Sequence, residues 1–216
     1  MTKEEIAREV CGVRRQLVRS MNGVIAQRMR QSGVVYERNY GVDIPRLLCI
    51  STSLPHDKQL AEALWSLKIR ETMLLAAMIC PTDDFSVEDL RCWVKQIPTY
   101  EVAEMVSQKL FARLPYAVTQ VSTLIDGNGF EPVCGFLMAS KLLPQMSDEL
   151  AVRFKENAFA RLNEPNLYPA VLVFFRCLVR HKKHLCNNLL DELCSLKETR
   201  SVALLCEEVK TQLEFF

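Results

Sequence analysis

Apolar residues recur at three- and four-residue steps along almost the whole chain. Ile6, Val10, Val13 and Leu17 open the pattern, and that step places them on one stripe of an amphipathic helix. Followed onward, the period predicts helices over 4–18, 21–32, 44–53, 57–67, 69–79, 87–96, 100–113, 115–125, 130–143, 148–162, 166–181, 183–195 and 199–213. No stretch shows a convincing strand pattern. Asp43-Ile44-Pro45 offers a capping carboxylate with proline in the first turn, and Ser86-x-x-Asp89 resembles a capping box with the shorter acid. Pro81, Pro98, Pro115, Pro144 and Pro165 mark further breaks.

Paired helices of roughly 10–15 residues on short turns are what α-solenoid repeats look like once their consensus has decayed. The expected fold is all-α, a HEAT-like α-α superhelix (α-solenoid) of about six helix pairs. A compact irregular bundle is the alternative, but it would use fewer and longer helices. No low-complexity segment or Ser/Gly linker divides the chain, so residues 1–216 are expected to form one domain.

Composition narrows the class. Apolar residues make up 49% and charged residues 25%, with seven Gly and nine Pro, which excludes disorder, collagen and loop-rich β architecture. Nine cysteines, an odd number without any CxxC, argue against a disulfide framework. Most sit in apolar runs such as Leu48-Cys49-Ile50 and Leu205-Cys206, where a reduced thiol is expected to act as a small buried hydrophobe. Met1-Thr2-Lys3-Glu4-Glu5-Ile6 lacks the apolar stretch of a signal peptide, and the longest apolar run, Ala170 to Phe175, stops at Arg176. The expectation is a cytoplasmic, monomeric protein with no membrane contact.

Net charge is +1, so any polyanionic partner must be met locally. Between Val10 and Tyr36 stand Arg14, Arg15, Arg19, Arg28 and Arg30 without one acid. From Asn166 to Leu190, Arg176, Arg180, Lys182 and Lys183, joined by His181 and His184, meet no carboxylate either. Two such segments at opposite ends of a curved solenoid would hold phosphates from two sides. The competing reading is two solvated faces balanced by acids from neighbouring helices. Cys177-x3-His181-x2-His184-x-Cys186 has a spacing zinc could use, but it runs along one helix end among lysines, so no metal is expected.

Nucleophile elbows, phosphate loops, dinucleotide fingerprints and HExxH are all missing from the sequence. The strongest internal candidate is the helix beginning Thr99-Tyr100-Glu101-Val102-Ala103-Glu104. Val102, Met105, Val106 and Leu110 form its apolar stripe, which leaves Tyr100, Glu104 and Gln108 at four-residue steps on another face. An aromatic ring one turn from a carboxylate suits a reaction that develops positive charge. The same pattern also fits an ordinary polar face with an acid near the helix N-terminus.

The stretch Tyr36-Glu37-Arg38-Asn39-Tyr40-Gly41-Val42-Asp43-Ile44-Pro45-Arg46-Leu47 resembles the N-terminal signature of the AlkD-like DNA alkylation repair family, with its Gly-Val-x-x-Pro element. Leu64-Trp65-Ser66-Leu67-Lys68-Ile69-Arg70-Glu71 is similar to that family's tryptophan followed by Arg-Glu at a helix start. Trp93-Val94, the Thr99–Glu104 helix start and Leu110-Phe111 follow in the family's order. The resemblance covers residues 36 to 115 well and continues weakly to about 190.

The resemblance implies a HEAT-like solenoid cradling duplex DNA in a basic groove, and active members that excise N-alkylated bases as glycosylases without a cofactor. In such members the matching helix carries Trp-Asp-x-x-Asp, its last Asp catalytic; here those positions hold Tyr100, Glu101 and Glu104. The resemblance thus assigns catalysis to Glu104 with Tyr100, and substrate contact to Trp93, Glu101 and Phe174. The DNA backbone would then be held by Arg14, Arg15, Arg19, Arg180, Lys182 and Lys183 of the two basic segments. The family's groove arginine falls near Val133, and its second groove tryptophan near Phe174. These departures predict weakened or lost excision, and leave as the alternative an inactive solenoid that binds a partner protein.

Overall fold

The computed structural model describes residues 1–164, 166–196 and 199–215, in which the regular elements are helices and no strand occurs. The break expected at Pro165 lies outside the described residues. The helices gather into two compact units, Met1–Pro115 and Tyr116–Phe216.

The first unit holds α1 (Lys3–Arg19), α2 (Gly23–Gln31), α3 (Ile44–Ser51), α4 (Lys58–Ser66), α5 (Arg70–Ile79), α6 (Val87–Val94) and α7 (Tyr100–Lys109). Side chains set most of the starts. Thr2 and Glu5 form a capping box on α1, Asn22 caps α2, and Asp43 accepts from the Arg46 amide at 2.8 Å to open α3. Ser86 and Asp89 exchange the bonds of a capping box at 3.1 and 2.8 Å. Each satisfies an amide that the first turn leaves without a partner. The helix expected to run through 113 ends at Lys109, and a 3-10 turn over Phe111–Arg113 follows. Pro115 accounts for the end of that turn, because the residue before a proline avoids the α region and Leu114 is extended.

Helix α5 is the centre of this unit. After Arg70-Glu71-Thr72 it is apolar on every side, and it packs on α3, α4 and α7, as a helix without a polar face must. Trp65 and Trp93 stack at 4.1 Å and 9° beside α5's neighbours. Phe85 meets the edge of Trp93 at 5.1 Å.

The second unit holds α8 (Ala117–Ile125), α9 (Glu131–Leu142), α10 (Asp148–Arg161), α11 (Tyr168–His181), α12 (Leu189–Ser195) and α13 (Arg200–Phe215). Here α9 is the helix buried all round, between α8 and α11. Gly135 permits that approach, since a β-carbon there would sit 2.8 Å from the Ile125 backbone nitrogen. The helix expected over 183–195 is divided into a 3-10 turn at Lys183–Cys186 and the short α12.

The expected burial of the cysteines needs correction. Cys49 is exposed, as are Cys11, Cys92 and Cys194, so the apolar neighbours of Cys49 in sequence do not bury it. The buried thiols are Cys80, Cys134 and Cys186. Among the described residues no helix is long and apolar enough to cross a membrane.

Candidate functional site

The N-terminus of α7 carries the candidate acid and is fixed by an unusual polar cluster. Thr99 caps the helix. The Arg70 guanidinium donates to both Glu101 oxygens, from Nε at 2.7 Å and Nη2 at 2.5 Å, the forked geometry in which arginine holds carboxylate best. Tyr36 donates its hydroxyl to Glu101 at 2.6 Å and lies 2.7 Å from the Thr99 hydroxyl. Burial works against charge on Glu101, but the Arg70 fork and the Tyr36 hydroxyl outweigh it and hold this carboxyl below the usual range.

Arg70 serves a second acid. Its Nη1 donates to the Val42 carbonyl at 2.8 Å and to Glu71 at 3.0 Å. Glu71 has 0% exposure and accepts the backbone amides of Tyr40 at 3.1 Å and Val42 at 3.2 Å. The non-helical chain from Tyr36 to Val42 is therefore strapped to the starts of α5 and α7. Gly41 completes the strap. Its φ is +71, and a β-carbon would come within 2.1 Å of the Asn22 carbonyl oxygen, so only glycine fits there.

The residues Tyr36, Gly41-Val42, Arg70-Glu71 and Glu101 thus form one connected network. They lie far apart in the sequence, and the fold joins them. The available signal was Arg70-Glu71 standing between Ile69 and the apolar run Met73–Ile79, because charges inside a buried helix have to be paired. Tyr36→Phe removes a hydroxyl bonded to a carboxylate and is expected to cost about 2 kcal/mol, read from the shift in urea midpoint.

Glu104 stands apart from this hydrogen-bonded cluster. It is half-buried, and its side chain receives a hydrogen bond only from Gln108, at 3.5 Å, with no ion pair among the described residues. Burial first, and the nearby Glu101 charge second, push its carboxyl above the ordinary range. Tyr100, one turn earlier and also half-buried, has its hydroxyl raised by burial and then by the Glu104 charge.

The other residues singled out from sequence are placed differently. Trp93 keeps 4% exposure and gives its ring to Trp65 and Phe85, which leaves little of it for the substrate contact that the resemblance assigns to it. Phe174 has 0% exposure and packs edgewise on Phe136 and Phe175, each at 5.7 Å. Both aromatic residues gain more from the core than from a solvent-facing position. Glu101 is committed to Arg70 and Tyr36, and Val133 is a core residue of α9.

The two basic segments also part company. In the second unit Arg176 donates to Glu208 at 2.6 Å. Lys182 donates to Asp148 at 2.6 Å and to the Met146 carbonyl at 2.7 Å, and His184 lies 2.7 Å from the same Asp148. Acids from α10 and α13 therefore balance much of a stretch that carries none in sequence. Arg180 and Lys183 are exposed. His184 and the buried Cys186 do not converge with Cys177 and His181, and no group of three metal-ligating side chains occurs among the described residues. In the first unit Arg14, Arg15 and Arg19 are exposed, and none has an ion pair or hydrogen bond among the described residues.

Two cavities open in the first unit, of about 300 and 420 Å³, and Tyr40 lines both. Tyr100 and Glu104 line neither.

Sequence comparison matches residues 13–127, from the middle of α1 through α8, to the family described as DNA alkylation repair enzyme. Among solved structures, this chain is similar to one described as belonging to a new family of proteins related to the HEAT-like repeat DNA glycosylases with affinity for branched DNA structures. The TM-score is 0.78 at 14% identity, over 93% of each chain. That likeness carries the fold: the helices have the HEAT-like repeat arrangement. A search of curated protein sequences finds no match.

Proposed function

Since this chain belongs to the DNA alkylation repair enzyme family, we propose that it binds duplex DNA and hydrolyses the N-glycosidic bond of N-alkylated bases. The observation that carries this reading is the half-buried Glu104 carboxylate beside Tyr100, which has no ion pair among the described residues, while Glu101 one turn away is held by Arg70 and Tyr36. A carboxylate held in that state is available to a positive charge brought by the substrate. Alkylation makes the base cationic, so it leaves as a neutral molecule when the bond between nitrogen and the sugar C1′ breaks. The sugar then carries the positive charge, which Glu104 stabilises electrostatically. Water adds to C1′ and its proton passes to solvent.

Arg14, Arg15 and Arg19 hold phosphates in this reading, with Arg180 and Lys183 as further contacts. Each phosphate contact adds about 0.9 to the slope of log affinity against log salt. Alanine at Arg14, Arg15 and Arg19 together is expected to lower that slope by about 0.9 per arginine that touches DNA, measured by filter retention of a labelled duplex. Retention that ignores salt, or is absent at low salt, contradicts the reading.

The burial of Trp93 and Phe174 favours a second reading, in which the scaffold binds a partner protein and excises nothing, because Tyr100 is left as the only sequence-nominated aromatic beside the acid. Under that reading Glu104→Gln leaves function untouched. Under the first, base release is lost while DNA retention persists.

A further inference from the structure

The outward stripe of α1 is built differently from an ordinary solvated face. Cys11, Arg14, Arg15, Val18 and Arg19 fall at i, i+3, i+4, i+7 and i+8, away from the buried Val13 and Leu17. Together with Tyr40 they line the cavity of about 420 Å³. Val18 is 53% exposed in its midst, and Cys11 is exposed as well. An apolar floor ringed by three arginines without partners is a combination that neither a phosphate row nor a neutral peptide would use in full.

We propose that this cavity takes an unpaired nucleotide of single-stranded DNA. Arg15 and Arg19, one helical turn or about 6 Å apart along the axis, meet successive phosphates. The base lies on Val18 and against Tyr40, with the Arg14 guanidinium beside it, as single-strand sites combine a cationic track with an aromatic platform. Tyr40 is a firm support, because its amide is held by Glu71 at 3.1 Å and its carbonyl by the Asn22 amide at 2.8 Å. An intact duplex keeps its bases stacked and would leave the floor empty. A run of acidic residues would satisfy the arginines but brings no flat apolar group for Val18 and Tyr40. The proposal rests on the DNA-binding reading and adds to it a preference for DNA that carries unpaired nucleotides.

The test compares a blunt duplex with the same duplex bearing a short single-stranded tail, by fluorescence anisotropy at fixed salt. The tail is expected to tighten binding about tenfold, the worth of one stacked base. Tyr40→Leu, which keeps apolar volume but loses the flat ring, is expected to abolish that gain and leave blunt-duplex affinity unchanged. Val18→Ser gives a second variant on an exposed helix position, with the same expected loss. Equal binding of the two DNAs by the unmodified protein overturns the proposal but spares the DNA-binding reading, whereas failure to bind either DNA overturns both. Poly-glutamate that displaces the tailed DNA as well as an unlabelled single strand does also overturns it, in favour of an acidic peptide ligand.

Discussion

Replacing Arg70 by methionine is expected to destabilise the protein by about 3–5 kcal/mol, the cost of breaking a buried ion pair by removing one partner. The cost is large because a single guanidinium serves two acids. Glu71 is left with 0% exposure and only backbone amides, while Glu101 loses both bonds of the fork. The strap from Tyr36 to Val42 also loses the bond from Arg70 to the Val42 carbonyl. Urea denaturation at neutral pH reads the effect as a lowered midpoint with an unchanged slope.

The same variant carries a signature in pH. In the unmodified protein the Glu101 carboxyl lies below its unfolded value. Its contribution to stability is therefore fully present above the unfolded carboxyl pKa and is lost as pH falls through the folded one. Without Arg70, burial acts on Glu101 with no cation to oppose it, so the shift reverses and mild acid becomes stabilising. A methionine variant that loses stability in acid as the unmodified protein does would show that Arg70 is not what holds Glu101 ionised.

Glu104→Gln is expected to lower base release by about 10²–10³, the usual cost of deleting one preorganised electrostatic group at a reacting centre. The fold should tolerate it well. Glu104 has its folded carboxyl raised by burial and by Glu101, so below the unfolded pKa both states are protonated and no penalty exists. As pH rises through the window up to the folded value, the folded state holds its proton longer and stability declines. Removing this charge therefore leaves the protein at least as stable at neutral pH, and lost activity cannot be charged to unfolding. In the proposed reaction the acid acts ionised, so base release is expected to fall as pH is lowered through a carboxyl pKa above that of ordinary glutamate. Glu101→Gln works the other way, because it releases Arg70 and costs stability.

Much of the fold is legible in the sequence because an amphipathic period is a direct record of which side of a helix is buried. The starts at Asp43 and Ser86 were readable because capping chemistry is local. The divided segment over 183–195 was not, since its apolar spacing suits a 3-10 turn followed by a helix as well as one continuous helix. The candidate site was legible only where local sequence decides the outcome. Arg14, Arg15 and Arg19, in a segment without acids, form no ion pair among the described residues and are exposed. Lys182 and Arg176 look equally free in the sequence, but Asp148 and Glu208 arrive from positions more than thirty residues away. Trp93 and Phe174 fail as groove residues for a related reason: an aromatic side chain that serves both a ligand and a core looks the same in a string of letters, and the partners that decide, Trp65 and Phe136, are distant in sequence. Val133 occupies a helix buried on nearly all sides, where an arginine without a partner would be costly.

The central claim is that Glu104 is kept without a cation so that it can receive one. Its most direct test is release of N-methylated purine from alkylated duplex DNA at low salt, with the unmodified protein beside Glu104→Gln. The account predicts release that depends on the protein, rises with pH through the carboxyl range and disappears in the Gln variant while DNA retention persists. Retained DNA with no release by the unmodified protein, or equal release by both, would contradict it.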